Sequence, residues 1–135
     1  MRLDIENISW KNMARVFLDT NIYVDAVYRK PEVRLQFLHH EVYYSSLSTH
    51  ILFYVLHLKV PDPIVTSVLK EFGPIDFTSS ILEKALNGPT KDMEDNIQLH
   101  SAAESECDYF LTNDKKLLAM TYFGKTRMVS TLEKN

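Results

Sequence analysis

Three aspartates stand where a chain of alternating strands and helices would bring them together: Asp19, Asp95 and Asp114. Asp19 closes the short apolar run Arg15-Val16-Phe17-Leu18, and Asp114 follows Tyr109-Phe110-Leu111-Thr112 by two residues. Both runs read as strands, and the carboxyl ends of parallel strands are where open α/β sheets build their sites. Asp95 lies in a stretch of helical spacing that begins near Asp92. At roughly 100° per residue, Asp92 and Asp95 share a face with Leu99, Ala102 and Ala103. Glu94 is expected to point elsewhere, near Gln98, with Met93 and Ile97 on the opposite side. Carboxylates gathered at one sheet edge form an acidic pocket of the kind that holds metal ions. A plainer reading competes with this one. Acids at helix starts cap the helix or offset its dipole, and Asp19, Asp92 and Asp114 each stand where a cap belongs.

The elements that must position these residues follow from pattern and punctuation. Arg15–Leu18 is a first strand, with a helix from Ile22 to about Tyr28. Pro31 begins another helical segment, and Val33–His40 has helical spacing. Val42–Ser45 is aromatic and β-branched, which marks a second strand. Ser48 or Thr49 would cap an apolar helix running to about Leu58. Pro61-Asp62-Pro63 breaks the chain, and Ile64–Phe72 returns to helical spacing. Pro74–Phe77 is a plausible third strand, and Ser79 or Ser80 would cap a helix ending near Gly88. A longer helix is expected from about Asp92 to Glu106, a strand over Tyr109–Thr112, and a helix from Lys115 to about Tyr122 that Gly124 ends. Arg127–Ser130 completes the set. Strands alternating with helices imply an α/β fold, with a mainly parallel sheet covered on both faces.

Bulk properties bound what this fold can do. A length of 135 residues fits one domain with a real core. Three Gly and five Pro argue against disorder or long linkers. Cys107 is the single cysteine, so no intrachain disulfide can form and a reducing cytoplasm is the natural setting. The longest apolar stretch, Ile51–Val60, contains His57 and Lys59 and is too short to span a bilayer. Net charge is −3 and pI about 5.9, against the basic balance usual in nucleic-acid binders. Any phosphate-gripping face must therefore be local. Lys115 and Lys116, or Arg29, Lys30 and Arg34, are the candidates, although a solvated helix start explains the first pair equally well. The histidines (His39, His40, His50, His57 and His100) show no zinc spacing with Cys107. Tyr43, Tyr44 and Phe53 could stack on bases, but aromatic residues in such places are more often core.

The motifs resemble a known family. Val16-Phe17-Leu18-Asp19-Thr20-Asn21 is similar to the opening strand of PIN domains. Asp92-Met93-Glu94-Asp95-Asn96 to Ala103, followed by Asp108-Tyr109-Phe110-Leu111-Thr112-Asn113-Asp114, is similar to that family's later acidic helix and strand. The resemblance spans about Ala14 to Thr131. It implies a PIN-like three-layer α/β/α fold and a metal-dependent endoribonuclease of the VapC-like kind, acting on RNA phosphodiesters. On that likeness Asp19, Asp95 and Asp114 are the catalytic, metal-binding acids, and Asn21, Thr112 and Asn113 support them. Mg²⁺ or Mn²⁺ is the implied cofactor, since hard ions prefer carboxylate and water oxygens. Partners implied by the resemblance are an RNA substrate, an antitoxin protein and a second copy in a homodimer, with no membrane. One departure stands out. The family often carries a Glu in the helix after the second strand, where this chain has Ile51, and no acid occurs between Val42 and Val60. Asp92, one turn before Asp95, is the expected replacement metal ligand.

Two other functions compete. A PIN-like RNA- or protein-binding module that has lost catalysis fits the Ile51 departure and the acidic pI. A phosphohydrolase with Asp19 as covalent nucleophile would want a second Asp two residues on, where this chain has Asn21. Residues 1–13 read as an N-terminal leader, packing through Trp10, and residues 14–135 as the domain.

Overall fold

The computed structural model describes residues 13–132; the expected leader, Met13 apart, lies outside them. Strand β1, Arg15–Leu18, leads through Asp19 into helix α1, Thr20–Val24. The helix then widens into a π-helical turn over Asp25–Arg29, and a 3-10 segment follows over Pro31–Phe37. Strand β2, Glu41–Ser45, runs directly into helix α2, Ser46–Leu56. Helix α3, Pro63–Val68, leads to strand β3, Gly73–Ile75. Helices α4, Ser79–Leu86, and α5, Met93–Glu104, precede strand β4, Tyr109–Leu111. Helix α6, Lys115–Met120, and strands β5, Tyr122–Phe123, and β6, Thr126–Val129, complete the described chain.

The six strands form one sheet in the order β3-β2-β1-β4-β6-β5. All pairings are parallel except that of β5 with β6. Alternation along the strands sends side chains to two cores. Val16, Leu18, Tyr44 and Leu111 pack with Ile22, Tyr23, Leu52 and Val68 on one face. Phe17, Phe110 and Met128 pack with Leu99, Ala102 and Leu117 on the other. Helices cover both faces, which is the expected α/β/α arrangement. Helix α4 lies outside α5, joined through Ile81, Ala85 and Ile97. No helix among the described residues is long and apolar enough to cross a membrane.

Several boundaries differ from the sequence reading, each for a local reason. The cap of α2 is Ser45, whose Oγ accepts from Leu47 N at 3.2 Å, because β2 feeds the helix without a loop. Ser48, one expected cap, is buried inside that helix instead. Thr78 caps α4 in place of Ser79 or Ser80. Gly124 does not end α6: it turns the β5–β6 hairpin at φ +60°, a conformation that suits glycine. Helix α6 stops earlier, at Met120.

Candidate acidic site at the sheet switch point

Strand order reverses beside β1: the chain goes out to β2 and β3, then returns to lay β4 on the other side. Crevices at such a point, outside the carboxyl ends of the strands, are where ligands bind in this class of fold. Asp19 stands just beyond β1, and its backbone N–H donates to Leu111 O at 3.0 Å, tying it to the end of β4. Although Asp19 occupies the N-cap position of α1, its side chain makes no cap hydrogen bond. The carboxylate instead accepts from Thr112 Oγ1 at 2.6 Å and is almost fully buried. Burial pushes its pKa up, and the Asp114 charge adds to that. The Thr112 hydroxyl and nearby N–H groups of Thr20 and Gln98 oppose the rise.

Thr112 also accepts from Asp114 N at 3.0 Å, so one buried hydroxyl bridges two of the predicted acids. Asp114 itself caps α6: its Oδ1 accepts from Lys116 N at 2.8 Å and Leu117 N at 3.3 Å. Asp92 caps α5 through Oδ1, which accepts from Asp95 N at 2.9 Å. Both residues therefore cap helices through one carboxylate oxygen. Asp95, in the first turn of α5, is partly buried. Desolvation, with the charges of Asp92, Asp19, Asp114 and Glu94, pushes its pKa up to about 6. Asp19, Asp95 and Asp114 therefore share one electrostatic neighbourhood. Asn21 and Asn113 do not behave as expected: both are exposed, and neither side chain hydrogen-bonds an acid among the described residues. Of these three residues only Thr112 has a side chain hydrogen-bonded to the acids, at Asp19 Oδ2 and Asp114 N, among the described residues.

Three residues of this region escaped the sequence reading. Glu94, expected to turn away, sits on the face of α5 that meets the start of α1. The residue is exposed, yet partial desolvation and then the Asp19 and Asp92 charges raise its pKa. Gln98, one turn later, is buried, and its Oε1 accepts from Thr20 N at 2.7 Å. Ser48 shares a 2.8 Å hydrogen bond with Thr20 Oγ1, joining α2 to α1. The signal for these was a set of polar residues, Thr20, Ser48 and Gln98, within otherwise core-forming stretches.

Carboxylate oxygens such as those of Asp19, Asp95 and Asp114 are the ligand type that a hard divalent cation prefers. As the side chains stand, however, no three His, Cys, Asp or Glu among the described residues converge closely enough to hold an ion. Other candidates resolve into structure. Cys107 is buried, and desolvation pushes its thiol up to about 12. Tyr44 stacks on Tyr23 in the core at 4.4 Å. Arg34 Nε donates to Ala26 O at 2.6 Å, closing the turn after α1.

No family model matches the sequence, and no curated protein matches it either. Among solved structures, the chain is similar to one in the crystal structure of VapBC2 from Rickettsia felis bound to a DNA fragment from their promoter. The TM-score is 0.60 at 17% sequence identity, over 84% of this chain and 98% of that one. The likeness is one of fold, and it agrees with the PIN-like architecture described above.

Proposed function

We propose that this protein is a metal-dependent endoribonuclease of PIN type, acting in the cytoplasm. The observation that supports the reading is that the charges of Asp19 and Asp114 both act on Asp95, with Asp19 at the β1–β4 switch point. In this reading Asp19, Asp95 and Asp114 hold Mg²⁺ or Mn²⁺. The ion, when bound, supplies a Lewis acid for the phosphodiester and lowers the pKa of a coordinated water. The chain's own residues have distinct tasks. Thr112 Oγ1 fixes the rotamer of Asp19. Asp19 and Asp95, raised by burial and mutual repulsion, hold positive charge in preference to remaining bare. Lys115 and Lys116, exposed directly after Asp114, lie within reach of an approaching RNA backbone.

The fold neighbour comes from a VapBC2 complex on promoter DNA. That supports a toxin role for this chain, with an antitoxin-like protein partner and a homodimer. The test is RNA cleavage by the purified full chain with Mg²⁺ or Mn²⁺ at several salt concentrations. Cleavage abolished by Asp19→Ala and by Asp95→Ala is expected; no cleavage with either ion would overturn the proposal. That no three acids among the described residues converge on one ion, together with Ile51, favours a second reading, a PIN-like module that binds RNA or protein without cutting. Tight RNA binding that persists in EDTA, with no cleavage in metal, would decide for it.

A further inference from the structure

Both peptide planes that flank Asp19 are tied to other elements. On one side, Asp19 N donates to Leu111 O at 3.0 Å, at the end of β4. On the other, Thr20 N donates to Gln98 Oε1 at 2.7 Å, on helix α5. A residue has only two soft backbone dihedrals, and a pinned N–H fixes the peptide plane that carries it. The backbone of Asp19, φ −54° and ψ 149°, is therefore set by β4 from one side and by α5 from the other.

That backbone is the non-helical one of an N-cap, from which a short carboxylate ordinarily folds back onto the first turn. Asp19 does otherwise. Its side chain makes no cap hydrogen bond and accepts from Thr112 Oγ1 at 2.6 Å, beyond the end of β4. Packing alone does not account for the Gln98 amide. The residue is 1% exposed, and the bond to Thr20 N is its one side-chain hydrogen bond among the described residues, Nε2 having no partner. A buried amide with an unmet donor is costly. Thr20 N is a donor and can meet only the oxygen end of that amide, which leaves Nε2 on the side of Asp19. Thr20 is braced further where its Oγ1 shares the 2.8 Å hydrogen bond with Ser48 Oγ.

Taking Asp19 as the metal-binding acid of the nuclease reading above, we infer that Gln98 is a positioning residue: by holding Thr20 N it fixes the Asp19 backbone so that the carboxylate turns to Thr112 and the acidic site, not onto its own helix. Without the amide, Thr20 N–H is released and ψ of Asp19 loosens. The carboxylate then takes up the cap of α1 through Asn21 N or Ile22 N.

The test uses the full-length, metal-free protein and two measurements. Gln98→Met keeps an unbranched side chain and removes the acceptor. Amide hydrogen exchange at Asn21 or Ile22 is expected to slow by at least about tenfold in this variant, because a cap protects one of those N–H groups. A merely structural loss would speed exchange there, so unchanged or faster exchange at both would overturn the proposal. The second measurement is a double-mutant cycle in urea. Thr112→Val should raise the unfolding equilibrium constant about thirtyfold in wild type and less than about fivefold in Gln98→Met, where Asp19 has left Thr112. Equal factors in the two backgrounds would also overturn it. If Gln98→Met does not fold, Gln98→Asn, whose amide is a carbon too short to reach Thr20 N, carries the same expectations. Neither measurement involves metal or RNA. Failure in them strikes the role of Gln98, whereas a wild type that cleaves no RNA strikes the nuclease reading and leaves the placement of Asp19 standing.

Discussion

Asn96 ties the acidic helix to the segment before it through four hydrogen bonds, and its removal has a calculable effect. It is buried, and all four of its hydrogen-bonding positions are used. Nδ2 donates to Ala85 O at 2.9 Å and to Thr90 O at 2.9 Å. Oδ1 accepts from Thr90 N at 2.9 Å and Thr90 Oγ1 at 2.6 Å. These bonds tie the end of α4 and the loop after it to the first turn of α5, where Glu94 and Asp95 sit. At about 0.5–1.5 kcal/mol net per bond, Asn96→Ala would lose roughly 2–6 kcal/mol. Thr90 is partly exposed and regains water, whereas Ala85 O is left dry, which argues for about 3 kcal/mol. For a domain of this size that corresponds to a melting temperature lower by roughly 10 °C. Asn96→Asp should be no milder at neutral pH, since a carboxylate keeps the acceptor but faces two carbonyls. Its deficit should shrink as acid protonates the new group. Urea unfolding of the metal-free protein measures both variants. A loss below about 1 kcal/mol in Asn96→Ala would refute the reasoning.

Asp95 predicts a pH dependence. Its folded pKa of about 6 lies above the unfolded value near 3.9, so its contribution to stability is full below about pH 4 and is lost as pH rises through 6. The unscreened limit is about 3 kcal/mol, and partial exposure reduces it to roughly 1 kcal/mol. Metal-free Asp95→Asn should therefore be more stable than wild type by about that amount at pH 8 and equal to it at pH 4; an equal offset at both would be inconsistent with repulsion. Thr112→Val should destabilise by about 2 kcal/mol, because Asp19 loses a charge-assisted donor and Asp114 N loses its acceptor. Chemical denaturation at pH 7 tests this, and an unchanged midpoint would count against the bridging role. Cys107 should resist thiol reagents in the folded protein and react only on unfolding, given its burial and raised pKa; rapid native labelling would contradict the packing.

The sequence was most legible where chemistry and punctuation coincide. The ends of β1 and β4 are short apolar runs closed by Asp-Thr-Asn and Thr-Asn-Asp, so strand and acid declare each other. Caps were harder. Ser45, Ser46, Ser48 and Thr49 can all cap in principle, and only the pairing of β2 with β1 and β3 fixes where the strand stops. Strand β5 spans two residues and exists through its pairing with β6, which no local propensity announces. Glu94 was misplaced for a different reason. Helical periodicity gives angles between residues, but the inward face must be inferred from apolarity. Helix α5 is covered by α4 on one side and the sheet on the other, so Asn96, Ile97, Gln98 and Leu99 are all buried. With no polar face to orient it, the apolar set Leu99 and Ala102 marked one inward direction and hid the second, occupied by Gln98.

That second direction also dissolves the choice between cap and ligand that the aspartates posed. A carboxylate has two oxygens and about four lone-pair sites, and the caps at Asp92 and Asp114 each use Oδ1 alone. Capping orients such a side chain without exhausting it, so Asp114 can end a loop, start α6 and still repel Asp19 and Asp95. Asp19 is the opposite case. It stands at a cap position, makes no cap, and is held by Thr112 across the switch point instead. A helix start that forgoes its cap to bury a carboxylate among other acids carries a stability cost. The burial of Asp19 is offset by the Thr112 hydroxyl and by the N–H groups of Thr20 and Gln98, and not by a cap of its own helix.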